Sequence, residues 1–285
     1  MQKRKLHTAE WLTIAYIVLT LLYLLVFFPK VHHWLLFFGS RMAVITTIGF
    51  LALLTHKLQL PKLDSVRQFL PFLLLGYWYS ETFYFSDILF TNKDWFFYSL
   101  DQRIFGCEPS LVFSQLFPQA WFSELMYFGY FSLYVLLFGL PLWFWFFKKE
   151  HFDRVVFVMM LSIFLFYSIF DMLPVVGPQF FLSPKDVQVP DGYLFCWLVR
   201  IIQQAGENPT GSFPSSHVGI TMVILLLTFS KERKLFWGLL PIAVILMCST
   251  VYIKAHYLVD VLGGIICGSL FYRLSNWMYD KVSSE

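Results

Sequence analysis

The chain has 285 residues, of which 58% are hydrophobic, 21% aromatic and only 14% charged, against roughly 25% charged in a soluble domain. Such a chain is solvated mainly by lipid, and its net charge of +3 is small and dispersed, which excludes nucleic acid as a partner. The four cysteines, Cys107, Cys196, Cys248 and Cys267, lack metal-ligand spacing; a Cys107–Cys196 disulfide is open, and packed thiols are the simpler expectation.

In chain order, Lys3, Arg4 and Lys5 precede an apolar run from Trp11 to Phe28. The run looks like a secretory leader, but Phe27, Phe28, Pro29 and Lys30 offer no small-residue cleavage site, so it is expected to be an uncleaved first span. A helix crosses a bilayer with about 20 apolar residues. That criterion predicts about eight spans, near 11–28, 34–55, 69–90, 121–147, 155–173, 214–230, 235–252 and 257–275. In the second of these, Arg41 is expected to snorkel to the outer edge or to mark a later start.

With the N-terminus inside, 14 of the 21 lysines and arginines fall on the inner side and 7 on the outer. This is the bias expected of a cytoplasmic face, and it puts both termini in the cytoplasm. Two outer segments are long. Residues 91–120 mix aromatic and charged residues, which predicts a helix lying in the interface. Residues 174–212 form a loop long enough to be functional, with a helical stretch near 192–205.

Two polar clusters lie on that same outer side. In the second, His256 and Asp260 stand at i and i+4, a spacing that lets a carboxylate fix one imidazole nitrogen and leave the other as base or nucleophile. Alternatively, the pair is a polar helix start with an interfacial histidine. In the first cluster, Gly211, Ser212, Pro214, Ser215 and Ser216 precede an apolar helix. Free N–H groups at a helix start bind phosphate, Ser215 and Ser216 add donors, and His217 is placed about one turn in, where it can protonate a leaving oxygen. Lys254, two residues before His256, could hold a phosphate as a point charge or serve only as an interface anchor. Glu81, Asp87 and Asp171 are weaker candidates, to position an acceptor hydroxyl or to hold Lys254.

These residues resemble the type 2 phosphatidic acid phosphatase (PAP2) superfamily. Pro214-Ser215-Ser216-His217 is similar to its Pro-Ser-Gly/Ser-His motif, and Ser249 through His256 and Asp260 is similar to its third motif except that Thr250 replaces an arginine. The resemblance spans about residues 69–275. It implies an all-α integral membrane fold: a six-helix PAP2-like bundle in a catalytic domain over 69–285, preceded by a two-helix membrane extension over 1–68. It also implies His256 as the nucleophile forming a phosphohistidine, Asp260 as its orienting partner and His217 as the acid. Ser215, Ser216, Gly211, Lys254 and Gln179 are implied as substrate-binding, with no metal and no cofactor.

The first family motif, Lys-x6-Arg-Pro, is missing; Leu173 to Gln179 stands in its place. Thr250, Tyr252, His256, Tyr257 and Asp260 resemble instead the inositol-phosphorylceramide-synthase-like branch, although Gln179 occupies a position where that branch carries arginine. With fewer cations, either Arg200 or Lys185 folds over the site from the long outer loop, or the substrate is a diester with less charge near phosphorus. The expectation is a lipid or polyprenyl phosphate phosphatase in a bacterial inner membrane, its site facing the periplasm. The alternatives are a phospholipid head-group phosphotransferase and a non-catalytic lipid-phosphate binding or transport protein.

Overall fold

Uncharged runs of Leu, Phe, Ile and Val become helices in lipid because each backbone polar group must find its partner within the segment. The computed structural model describes residues 6–284; the basic cluster Lys3, Arg4 and Lys5 lies outside the described residues. The described chain is all helical, and six of its helices are long and apolar enough to cross a membrane. They are α1 (Thr8–Phe27), α2 (Trp34–Leu58), α8 (Ala120–Phe147), α9 (Lys149–Phe170), α13 (Arg233–Tyr252) and α14 (Leu258–Ser284). A shorter apolar helix, α12 (Ser216–Lys231), joins them.

The span predicted at 69–90 is broken. Short α3 (Pro61–Arg67) and α4 (Leu70–Leu73) lead into α5 (Leu75–Phe85), followed by a single 3-10 turn. Pro71 has no N–H to give the ladder, and the Leu74 N–H turns back to Pro71 and Phe72 rather than continuing it. The Tyr167 hydroxyl donates to the Leu75 carbonyl at 3.1 Å, bonding the backbone at the break from outside.

The predicted interfacial segment is two helices, α6 (Asp94–Phe105) and α7 (Pro109–Leu116). Glu108 caps α7 and Pro109 opens it, so the chain must turn between them. The long outer loop carries α10 (Pro178–Phe181) and α11 (Leu194–Gly206), the latter near its predicted position.

At the centre stands α9, the most buried of the spanning helices. Its Phe166 and Phe170 pack among residues of α1, α5, α8 and α12 in the largest apolar cluster. Helix α12 lies along α14 at very short range: a Cβ on Gly268 would stand 2.3 Å from the Gly219 carbonyl oxygen. Only glycine permits that approach, the way small residues bring helices together in membranes. It fixes the N-terminus of α12 against that of α14.

Arg41 does not snorkel. It is fully buried, pairs with Glu81 at 2.8 Å and donates to Thr20 and to the Phe37 carbonyl. Glu81, a sequence candidate for the site, is thereby committed to tying α5 to α2. A second buried pair, Arg67 with Glu10 at 2.6 Å, joins α3 to the start of α1. Asp87 is exposed and Asp171 is buried at the end of α9.

Candidate active site

Three chain segments meet at one end of the bundle: the stretch after α9, the N-terminus of α12 and the turn between α13 and α14. Main-chain hydrogen bonds stitch them together. Ser212 N–H donates to Val175 O at 2.9 Å, Gln179 N–H to Lys254 O at 3.0 Å, and Ser215 N–H to Asp260 O at 3.0 Å. Gly177 sits at the crossing with φ 88°, and a Cβ there would come within 2.6 Å of the Ala255 carbonyl oxygen. A side chain is excluded by both geometry and space.

Helix α6 braces this junction with two carboxylates. Asp94 accepts from the N–H groups of Val176 and Gly177, both at 2.8 Å, and from the Tyr257 hydroxyl at 3.0 Å. Asp101 accepts from the N–H groups of Leu258 at 2.7 Å and Val259 at 2.9 Å, capping α14 from another helix. Burial pushes the Asp101 carboxyl up to about 6, against the lowering effect of those two donors.

His256 belongs to the turn before α14 rather than to the helix itself, so the expected face shared with Asp260 is not a helical one. Their Nδ1–Oδ2 separation is 3.7 Å, too long for a hydrogen bond. Ser212 lies between them. Its hydroxyl donates to Asp260 Oδ2 at 2.6 Å, and its carbonyl oxygen is 2.9 Å from His256 Nδ1. A carbonyl can only accept, so Nδ1 carries the proton and Nε2 keeps its lone pair. Ser212 thereby connects Asp260 to His256.

His217 is the second residue of α12, earlier than expected, because Ser215 is the cap and Ser216 opens the helix. Its ring centroid is 5.6 Å from that of His256. Neither ring nitrogen has a hydrogen-bond partner among the described residues. The ring stacks instead on Tyr130, at 4.5 Å between centroids and 22° between planes, and meets Tyr134 edge-on at 6.5 Å.

A small polar pocket is lined by both imidazoles. Gln179, Gly211, Ser212, Ser216, His217 and His256 are in its wall, together with Glu207 just past the end of α11. Ser215 is fully buried, and its hydroxyl is spent on the Val218 N–H. Lys254 is not brought to this pocket. Held with φ 64°, it sends its ammonium to the Ser114 hydroxyl at 2.6 Å and the Gln188 carbonyl at 2.9 Å, and burial lowers its pKa to about 8. Neither Glu81 nor Asp171 is among its partners.

Two larger cavities adjoin the pocket. One, of about 310 Å³, is apolar and runs between α5, α8, α9 and α12; it shares Tyr79, Glu207, Ser216 and His217 with the polar pocket. The other, of about 470 Å³, is polar, shares Gln179 with the pocket and is lined by Arg200, Gln203 and Asp191. Of the two loop cations expected over the site, Arg200 reaches this vestibule, paired with Asp191 at 2.7 Å, while Lys185 is exposed. Among the described residues, the walls of the polar pocket and the apolar cavity contain no lysine or arginine. Cys107 and Cys196 are both free thiols.

Asp94, Asp101, Tyr130 and Glu207 were not singled out from the sequence as parts of a site. Asp94 and Asp101 left a faint signal: two acids two turns apart on one face of an otherwise aromatic helix. Tyr130 lies among many aromatic residues in an apolar span, where nothing distinguishes it.

Comparison with known proteins adds the following. Residues 96–274, more than half of the chain, match the model of the PAP2 superfamily. Over 69 residues the chain is 36% identical to the undecaprenyl-diphosphatase BcrC of Bacillus subtilis, covering 23% of this chain and 36% of that one. Over 76 residues it is 29% identical to an uncharacterized protein of Methanocaldococcus jannaschii, covering 27% of this chain and 31% of the other. The chain thus spans about a third of each of these relatives, and no solved structure matches it.

Proposed function

Because the chain belongs to the PAP2 superfamily, we propose that it is a membrane lipid phosphatase acting on a lipid or polyprenyl phosphate through a phosphohistidine on His256. The observation that carries this reading is the pair of imidazoles lining one small pocket with centroids 5.6 Å apart, one with Nε2 left free and the other without a hydrogen bond among the described residues. His256 Nε2 attacks phosphorus as the bond to the lipid oxygen breaks, and His217 gives its proton to that oxygen. Water then attacks phosphorus, its proton passes to His217, and the N–P bond breaks to release phosphate. Asp260, through Ser212, stabilises the positive charge on His256 during attack.

The apolar cavity adjoins the pocket on the side of His217. A chain lying there would place the lipid alcohol as the leaving group beside the acid. Gln179, Gly211 and Ser216 would hold the phosphate oxygens, with Arg200 at the mouth. Ser215 would act through the α12 cap and Lys254 by bracing the turn that carries His256. The N-terminal two helices form an extension, residues 1–68, on the catalytic domain 69–285. We place the site on the periplasmic side of a bacterial inner membrane, in keeping with the bias of lysines and arginines.

A second reading, a head-group phosphotransferase akin to the inositol-phosphorylceramide-synthase-like branch, is favoured by the cation-free walls of the pocket. A diester brings less charge to be compensated there than a monoester does. One experiment tests both readings. The purified protein is incubated with lipid phosphates, polyprenyl phosphates and phospholipid diesters, with and without a lipid alcohol acceptor, and the products are identified. Free phosphate supports the first reading and a new phosphodiester lipid the second. Either activity persisting at the wild-type rate in both His256→Ala and His217→Ala defeats the histidine mechanism.

A further inference from the structure

The acid in this mechanism has an unusual setting. A histidine that manages a proton is ordinarily oriented by a hydrogen bond to its second nitrogen, yet both nitrogens of His217 lack one among the described residues. The ring is stacked on Tyr130 instead, nearly parallel at 4.5 Å. Tyr130 is itself fully buried, and its hydroxyl donates to Glu207 Oε1 at 2.9 Å. Glu207 belongs to the wall of both the polar pocket and the apolar cavity, as His217 does. The groups facing His217 are Tyr130 and Tyr134 from α8 and His256 from the α13–α14 turn, with Glu207 and Tyr79 in the same pocket wall.

We propose that Tyr130 and Glu207 are positioning residues for His217: the tyrosine ring is the platform that orients the imidazole and stabilises its protonated form, and the Glu207 carboxylate anchors that platform and enriches it in charge. The physical basis is twofold. A cation above an aromatic face is attracted by the ring quadrupole, more strongly where water is excluded. A phenol donating to a carboxylate shifts electron density into its ring, which deepens the attraction. The same carboxylate adds a negative charge to the wall that also contains His217, where no lysine or arginine stands among the described residues. The platform and the carboxylate thus work against the desolvation and the nearby His256 that disfavour a buried imidazolium, with no carboxylate bonded to the ring, leaving both N–H groups free to face the leaving oxygen and, in the second step, the attacking water. In each turnover the proton still travels only between His217 and those oxygens; Tyr130 and Glu207 exchange none.

This inference rests on the reading of His217 as the acid, and its test separates the two. The full-length protein in detergent is given two aryl phosphates bearing the same octyl chain. In one the ring is nitrated, so its phenolate leaves without needing a proton; in the other it is not. His217→Ala should slow the plain ester far more than the nitrated one. Tyr130→Leu should reproduce that selectivity, with roughly 10-fold more loss on the plain ester. Tyr130→Phe and Glu207→Gln, which keep the ring and the shape, should show the same selectivity to a smaller degree and carry the test even if Tyr130→Leu does not fold. If His217→Ala is selective while Tyr130→Phe, Glu207→Gln and Tyr130→Leu slow both esters equally, or neither, the platform is packing alone and the proposal is overturned. If His217→Ala slows both esters equally, the acid assignment falls and this inference falls with it.

Discussion

The Ser212 hydroxyl donates to Asp260 Oδ2 at 2.6 Å while the carbonyl of the same residue receives His256 Nδ1. One serine thus does what a direct carboxylate–imidazole bond does elsewhere: it sets the tautomer and connects the imidazole to a negative charge. Ser212→Ala keeps the carbonyl and loses the link. A hydrogen bond to a buried charged group is worth about 1.5–3 kcal/mol, so turnover of a lipid phosphate should fall roughly 10- to 100-fold. Asp260→Asn should lower it at least as much. Steady-state kinetics of the two variants and the double variant measure this, and losses that simply multiply would disprove the shared path.

Asp101 caps α14 from outside the helix, so its removal should loosen the turn that carries His256. Asp101→Ala leaves the N–H groups of Leu258 and Val259 unpaired at a buried helix start and should cost about 1–2 kcal/mol of stability. Activity should fall further than stability, because the site geometry depends on the same cap. Thermal unfolding and kcat, measured in the same detergent, distinguish the two effects. A full loss of stability with unchanged kcat would limit Asp101 to a scaffold role.

Arg41 and Glu81 illustrate a buried pair that costs more to break than to remove. Arg41→Met or Glu81→Gln alone leaves a charge without its partner and should destabilise by about 3–5 kcal/mol. The double variant Arg41→Met/Glu81→Leu should recover most of that. Melting temperatures of the three variants test the coupling, and additive losses would argue against it.

Glu108 gives the fold a pH dependence. Its Oε2 is buried without a partner among the described residues, and burial pushes the carboxyl up to about 7. A carboxyl with a raised native pKa stabilises the folded state fully below its unfolded value near 4.3, and that contribution is lost as pH rises through about 7. Between pH 5 and 8, roughly the interval bracketing that titration, the melting temperature should therefore fall relative to that of a variant lacking the carboxyl. Glu108→Gln, which cannot ionise, should lose that share of the pH dependence and keep the share that belongs to Asp101. An equal slope in both proteins would assign the effect elsewhere.

Much of this was legible in the residues themselves. The apolar runs announced their helices, and the His217 and His256 clusters stood out because polar residues are costly in such surroundings. The failures have physical causes. The span expected at 69–90 breaks at Leu74, whose N–H turns back to Pro71 and Phe72, and Tyr167, nearly a hundred positions away, bonds the neighbouring Leu75 carbonyl. Arg41 was expected at the lipid edge because its partner, Glu81, is forty positions on. Lys254 looked like a phosphate ligand by proximity to His256, but its left-handed backbone turns the side chain to Ser114 and Gln188.

What the sequence by itself determined is membrane residence, the all-helical class and the two histidine clusters, because hydropathy and motif spacing act within a few turns of chain. Only the tertiary structure decided how those clusters are wired. It set Ser212 between His256 and Asp260, brought two carboxylates of α6 under the turn before α14, and laid Tyr130 against His217. Each of those contacts joins residues 44 to 163 positions apart where a hydrogen bond is made. Such distances are closed by packing of whole helices, notably the glycine contact between α12 and α14, and no local rule of the chain encodes them.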